Sequence, residues 1–149
     1  MSVNERIVNA SPEAVWEVLS DGWLYPLWVV GATRMRDVDA SWPAVGARLH
    51  HSVGTWPAVL DDDTEVLEVQ PVKRLVLQAR AWPTGEATVV LELTPSGAGT
   101  KITMKEDATT GPGRLVPGPL RTPMLKWRNT EALRRLALVV EGRTGSRRH

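Results

Sequence analysis

The chain has 149 residues, a formal net charge of +1 and no cysteine. That length fits a single domain able to bury a core and a modest cavity. The charge balance excludes a global field that would recruit nucleic acid or acidic lipid, and the lack of cysteine excludes disulfides, thiolate metal sites and cysteine nucleophiles. No apolar run approaches a membrane span, and Met1 to Arg6 lacks the apolar core of a signal peptide. The expectation is a soluble, cytoplasmic protein. Arg143, Arg147 and Arg148 read as a solvated basic terminus, so the expected division is a domain over 1–142 and a flexible tail over 143–149.

Val3 to Asn9 reads as a first strand. Ser11-Pro12-Glu13 then opens a helix, because Ser11 can cap free N–H groups, Pro12 suits the first turn and Glu13 suits the positive end of the dipole. Val15, Trp16, Val18 and Leu19 supply its apolar face, and Asp21-Gly22 ends it. A second, irregular helical piece follows over Trp23 to Trp28, limited by Pro26. Thr33 to Val38 is a weak strand. Ala47 to Val53 is clearer, with Ala47, Leu49, His51 and Val53 on one face and Arg48, His50 and Ser52 on the other.

The segment Ala58 to Gln70 reads as a long strand whose start is interrupted by Asp61-Asp62-Asp63, a solvated turn by composition. Its facing is ambiguous. Leu75, Leu77, Ala79 and Ala81 then alternate against Arg74, Val76, Gln78 and Arg80. Ala87, Val89, Leu91 and Leu93 share one face of the next strand, and Pro95 to Gly99 reverses the chain. Ile102, Met104 and Glu106 share one face of the last strand. Such alternation means one covered and one wet face, as in an antiparallel sheet. Short turns favour a meander, and no helix separates the strands as parallel crossovers require.

After Asp107 the period changes. Gly111 to Pro123 is rich in glycine and proline and reads as a loop or broken lead-in. Thr122-Pro123 starts a long helix, and Gly142 fits its C-terminal stop. At about 100° per residue, Leu125, Asn129, Ala132, Leu133, Leu136, Val139 and Val140 form one stripe. Glu131 and Arg135 are a favourable i,i+4 pair, while Trp127 and Leu138 fall on the opposite face. A polar Asn129 within an apolar stripe costs free energy unless something bonds it. The helix therefore closes over the sheet, leaving a partly polar hollow between them.

This order resembles the START-like helix-grip superfamily (SRPBCC), in particular its bacterial polyketide cyclase/dehydrase and lipid-transport group. The resemblance is carried by Ala10-Ser11-Pro12-Glu13-Ala14-Val15-Trp16, by Val66-Leu67-Glu68-Val69-Gln70-Pro71 followed by Arg74-Leu75, and by Gly99-Thr100-Lys101-Ile102-Thr103-Met104. It covers nearly the whole chain. It implies an α+β fold: a seven-stranded curved antiparallel sheet wrapped around a long C-terminal helix, with two short helices after the first strand. It also implies an internal pocket for an apolar ligand. Members of that superfamily share no single catalytic constellation, so fold alone assigns no chemistry.

Several side chains are candidates for a site. His51, in phase with Leu49 and Val53, points inward as a general base, a ligand partner or a satisfied core residue. Glu106, in phase with Ile102 and Met104, either enters the hollow or splays into solvent at the strand end. Asn129 can donate and accept, which suits a ligand carbonyl or hydroxyl, or a structural bond. Arg128 can reach an acidic ligand group or pair with Glu106. Tyr25, the only tyrosine, is a further candidate on the wall. Leu77, Leu91, Met104, Leu125 and Leu133 are candidate apolar lining, and His51 and Glu106 are the candidates for catalysis.

Other classes are set aside. Three histidines, one of them terminal, do not make a zinc motif, and there is no G-x-S-x-G turn. Gly111-Pro112-Gly113 is not a phosphate-binding loop, and Asp61-Asp62-Asp63 lacks the spacing of a calcium loop. No metal or cofactor is expected. The seven tryptophans include three before proline (Trp42-Pro43, Trp56-Pro57 and Trp82-Pro83), which either rim a cavity mouth or plug the ends of a core. The expected function is binding of a hydrophobic small molecule such as a lipid, polyketide or aromatic ring compound. The alternatives are a cofactor-free cyclase or dehydratase, and a regulatory module that forms a homodimer through Trp127 and Leu138.

Overall fold

Alternating side chains along the central two-thirds of the chain pair into one antiparallel sheet. The computed structural model describes residues 2–29, 32–53, 60–81, 85–110 and 118–147. Strand β1 spans Ser2–Val8, followed by helix α1 (Pro12–Leu19), a 3-10 turn (Gly22–Leu24) and α2 (Tyr25–Trp28). Six more strands follow: β2 (Ala32–Val38), β3 (Arg48–Val53), β4 (Leu60–Gln70), β5 (Arg74–Ala81), β6 (Gly85–Ser96) and β7 (Gly99–Thr110). Helix α3 (Gly118–Arg147) closes the chain. The sheet order is β1-β7-β6-β5-β4-β3-β2, so β2 to β7 form a continuous meander and β1 returns beside β7. This is the helix-grip α+β arrangement that the strand and helix order implies.

Local signals account for the helix starts. The Ser11 hydroxyl accepts from the Ala14 N–H at 3.2 Å, and Pro12 occupies the first turn of α1. That bond satisfies one of the N–H groups a helix start leaves open. Val15, Val18 and Leu19 then face the core. Asp21 caps the 3-10 turn through the Trp23 N–H. Gly22 suits the close approach there, since a Cβ would lie 2.4 Å from Leu49 Cδ2 and push that buried side chain aside. Gly99 is equally constrained: a Cβ would meet the Val8 carbonyl oxygen at 2.3 Å, where β1 closes on the β6–β7 turn.

Three expectations are corrected. Asp61-Asp62-Asp63 is not a turn; it lies inside β4, paired with Ser52, His51 and His50 of β3. Cross-strand Arg48 holds Asp63 at 3.3 Å, so pairing and charge override the poor strand propensity of aspartate. Helix α3 starts at Gly118 rather than Thr122, with Pro119 in the first turn, where a missing N–H costs nothing. It also runs through Gly142 to Arg147, taking in residues assigned to a flexible tail, because glycine permits a helix stop without forcing one. Trp56-Pro57, Trp82-Pro83 and Gly111-Pro112-Gly113 lie outside the described residues. Trp42 does both: it packs against the core, where its Nε1–H donates to the Leu19 carbonyl at 3.3 Å, and it borders a surface cleft.

The ambiguous facing of β4 has a definite cause. Thr64 and Val66 point inward, a register shift falls between Val66 and Glu68, and Val69 then packs against the core. The bulge exchanges the two phases midway. Leu49, Val66, Leu75, Leu77, Leu91 and Ile102 are essentially sealed from solvent on the inner face, and Leu133, Leu136 and Val140 of α3 face them. The expected α3 stripe is buried at Asn129, Ala132, Leu133, Leu136 and Val140, and Val139 is partly buried. The helix is tied to the first strand by Asn4, whose amide donates to the Thr130 hydroxyl at 2.8 Å.

Candidate functional site

Strand registers set two neighbouring rows across the inner face, the second of which holds the candidates Leu77 and Glu106. One row crosses the sheet as Leu49, Thr64, Ala79 and Ala87. The next runs Val66, Leu77, Val89 and Glu106. Cover over these rows is uneven. Leu77 and Leu91 are fully buried, but Ala79, Ala87 and Val89 are only half-buried although they point inward. Small side chains and thinner cover thus coincide at one end of the inner face.

Polar groups gather beside that end. His51 is 2 % exposed, and its Nε2 lies 2.8 Å from the Thr64 hydroxyl. The same hydroxyl lies 3.2 Å from the Tyr25 oxygen, so Thr64 bridges the two rings. The Tyr25 and His51 ring centroids are 5.4 Å apart, tilted by 31°. Tyr25 is fixed from behind by Trp28 in an edge-to-face contact at 5.4 Å. Burial pushes the Tyr25 hydroxyl up to about 12; the Thr64 bond opposes this, the Glu106 carboxylate adds to it, and the Arg128 cation opposes it. The phenol therefore stays protonated at neutral pH and is also within electrostatic reach of the strand β7 and helix α3 charges.

Glu106 does enter the interior; it is 5 % exposed, and the expected pairing with Arg128 is made. An Arg128 Nη donates to Oε1 of Glu106 at 2.5 Å. The other oxygen, Oε2, is buried without a hydrogen-bond partner among the described residues, as is Nδ2 of the buried Asn129. Such groups lose free energy on leaving water unless another partner meets them. Leu77, Leu91, Met104 and Leu133 are all buried in the core around this region. Leu125 lies in α3, but its side chain falls outside the described residues. His50 sits on the opposite face, with Nε2 3.0 Å from Asp39.

Thr64 was missed at the level of sequence. It sits two positions before Val66 on the same face, so alternation alone would have found it had the aspartates not been read as a turn. Among the described residues no cluster of three or more His, Asp or Glu is arranged to hold a metal ion. None of their helices is long and apolar enough to cross a membrane. A separate cleft of about 430 Å³ opens beside Glu17, Asp21, Trp23, Asp39, Trp42 and Arg143, and no candidate residue lines it.

The family model for polyketide cyclase/dehydrase and lipid transport proteins matches residues 2–141. The chain belongs to this family. No curated protein matches it in sequence. Among solved structures, protein MLL2253 from Mesorhizobium loti is similar over 95 % of this chain and 96 % of that one, with 28 % identity and a TM-score of 0.69. DynU16, a protein in the dynemicin biosynthetic locus, is similar with 26 % identity and a TM-score of 0.68, covering 94 % of this chain and 46 % of that one. The di-domain ARO/CYC StfQ of the steffimycin biosynthetic pathway shares the fold at 16 % identity and a TM-score of 0.71, over 96 % of this chain and 51 % of StfQ. This family member thus spans about half of each of those two longer chains.

Proposed function

We propose that this protein binds an apolar small molecule that carries hydrogen-bonding groups, between the inner sheet face and helix α3. The observation that carries this reading is the pair of buried, unsatisfied polar atoms, Glu106 Oε2 and Asn129 Nδ2. One is an acceptor and the other a donor. A ligand that presents a hydroxyl and a carbonyl satisfies both, while its apolar body covers the half-buried Ala79, Ala87 and Val89. Burying apolar ligand surface contributes roughly 25 cal/mol per Å² before association costs. Leu77, Leu91, Met104 and Leu133 form the apolar wall, and Tyr25, His51 and Arg128 complete the polar end.

The matching family, described as polyketide cyclase/dehydrase and lipid transport, supports this ligand class. The test is native mass spectrometry of the purified protein, followed by calorimetric titration with hydroxylated ring ketones and with fatty acids. Binding of the ring ketones that is lost in Asn129→Leu supports the assignment. A folded protein that co-purifies with nothing and binds neither class overturns it.

A second reading, a cofactor-free cyclase or dehydratase, is favoured by the buried His51–Thr64–Tyr25 chain. Closing a ring on a poly-ketone requires a base to take a proton from an enolisable carbon and a donor to protonate the carbonyl oxygen that is attacked. His51 or Glu106 fills the first role. Tyr25, which holds its proton at neutral pH, or Arg128 fills the second. Turnover that persists in both His51→Ala and Glu106→Ala excludes this version.

A further inference from the structure

Helix α3 presents a stripe to solvent that its own domain does not use. Trp127 is 70 % and Leu138 57 % exposed. Glu131 and Arg134 lie between them on the same side, since at 3.6 residues per turn the four positions fall within about 60° of one another. Two isolated apolar residues would need no explanation. Their arrangement around the charges does. The pair Trp127/Leu138 and the pair Glu131/Arg134 share one midpoint along the helix, between Ala132 and Leu133.

A stripe with that symmetry is its own complement. We infer that α3 pairs antiparallel with α3 of a second copy of this chain, Trp127 of each copy packing on Leu138 of the other and Glu131 of each meeting Arg134 of the other. A two-fold axis at the shared midpoint generates both contacts at once, as an isologous interface demands. The contact spans three helical turns, about 16 Å, and a shallow antiparallel crossing keeps it continuous.

The charges are already arranged for the exchange. Within one chain Arg134 holds Glu131 at 2.8 Å, and Arg135 holds the same carboxylate at 3.0 Å. Arg134 keeps about half its side chain in water (51 % exposed), so it can turn to the other copy while Arg135 retains Glu131. A continuous basic-apolar face would have pointed to an anionic lipid surface. Here one acid and one base flank the midpoint, which favours self-association. The contact is small beside a standard interface of roughly 1,600 Å², so the dimer is weak and concentration-dependent.

Sedimentation equilibrium tests this. The expected apparent mass rises from one chain toward two between about 10 μM and about 1 mM, the range of small transient interfaces. Glu131→Arg and Arg134→Glu should each weaken association by about tenfold, because both cross-pairs become like-charged. An equimolar mixture of the two variants should recover it, since every pair is then opposite again. Trp127→Ser should weaken it without loss of helix content by circular dichroism. A wild type that stays monomeric across the range overturns the proposal, as does a mixture no heavier than its components. Wild type that stays monomeric but pellets with phosphatidylserine vesicles through Trp127 assigns the stripe to lipid and overturns it too.

Discussion

The two ends of the inner sheet face are built on opposite plans. At one end, Leu75, Leu91, Leu93 and Ile102 meet Leu133, Leu136 and Val140 with almost no solvent exposure. At the other, Ala79, Ala87 and Val89 are only half-covered, and Tyr25, His51, Thr64, Glu106, Arg128 and Asn129 supply polar atoms. Close-packed apolar contact is what stabilises a domain of this size. Buried polar atoms with unused bonding capacity do the reverse. One strand can serve both ends, as β7 does with Ile102 and Glu106 four residues apart on the same face. The contrast teaches that stability and recognition are divided along the strands rather than between separate elements.

Substitutions should separate the two ends. The largest effect is expected at the sealed end: Leu136→Ala, at a site with no exposure, should cost about 2–5 kcal/mol in urea denaturation. If it costs under 1 kcal/mol, the end is not packed as described. Next comes alkaline pH. The unfolded phenol ionises near its ordinary value of 10.0, but the folded Tyr25 holds its proton to about 12. Stability from this group is therefore complete below pH 10 and is lost as pH rises through about 12. With a single tyrosine in the chain, absorbance at long ultraviolet wavelengths follows it directly. A midpoint near 10 would contradict the burial of the ring.

Smaller effects follow at the polar end. Thr64→Val removes the hydroxyl shared by Tyr25 and His51 and should cost about 1–3 kcal/mol, because two buried polar groups lose a partner. Thermal denaturation at pH 7 measures it, and a neutral result would mean the bridge contributes nothing. Asn129→Leu should change stability least, by under about 1 kcal/mol, since an unsatisfied amide gives way to an apolar side chain of similar size. The same variant should lose ligand affinity. Loss of both together, by contrast, would make Asn129 structural.

Much of this was legible in the sequence. Period-two alternation gave β5, β6 and β7 with the correct inner face, because strands with one wet side cannot hide that pattern. The inward phase of His51 and Glu106 came from the same rule, and that of Asn129 from the helical period of α3. The first turn of α1 was legible because Ser11 and Pro12 act locally. What was not legible depends on partners far along the chain. Asp63 sits in a strand because Arg48, diagonal to it on β3, reaches its carboxylate, and Thr64 joins the site because Tyr25, from a distant helix, reaches its hydroxyl. The bulge after Val66 likewise belongs to the pairing with β5, so local pattern left the facing of β4 open. Nor does composition forbid a helix through Gly142; it only permits a stop there.

The placement of β1 has a consequence for the making of the protein. Among the described residues its seven residues pair only with β7, in a register that sets Ser2 against Glu106, and Asn4 reaches Thr130. The Asn9 backbone N–H donates to the Glu141 carboxylate at 3.1 Å, joining segments 132 residues apart. A nascent chain leaving the ribosome thus carries a strand whose partners follow only after all the other strands have been made. Such non-local closure slows folding, and until α3 emerges the sheet's apolar side has no lid. For this chain the hazard lies in the interval before α3 is made, when a chaperone would have most to shield.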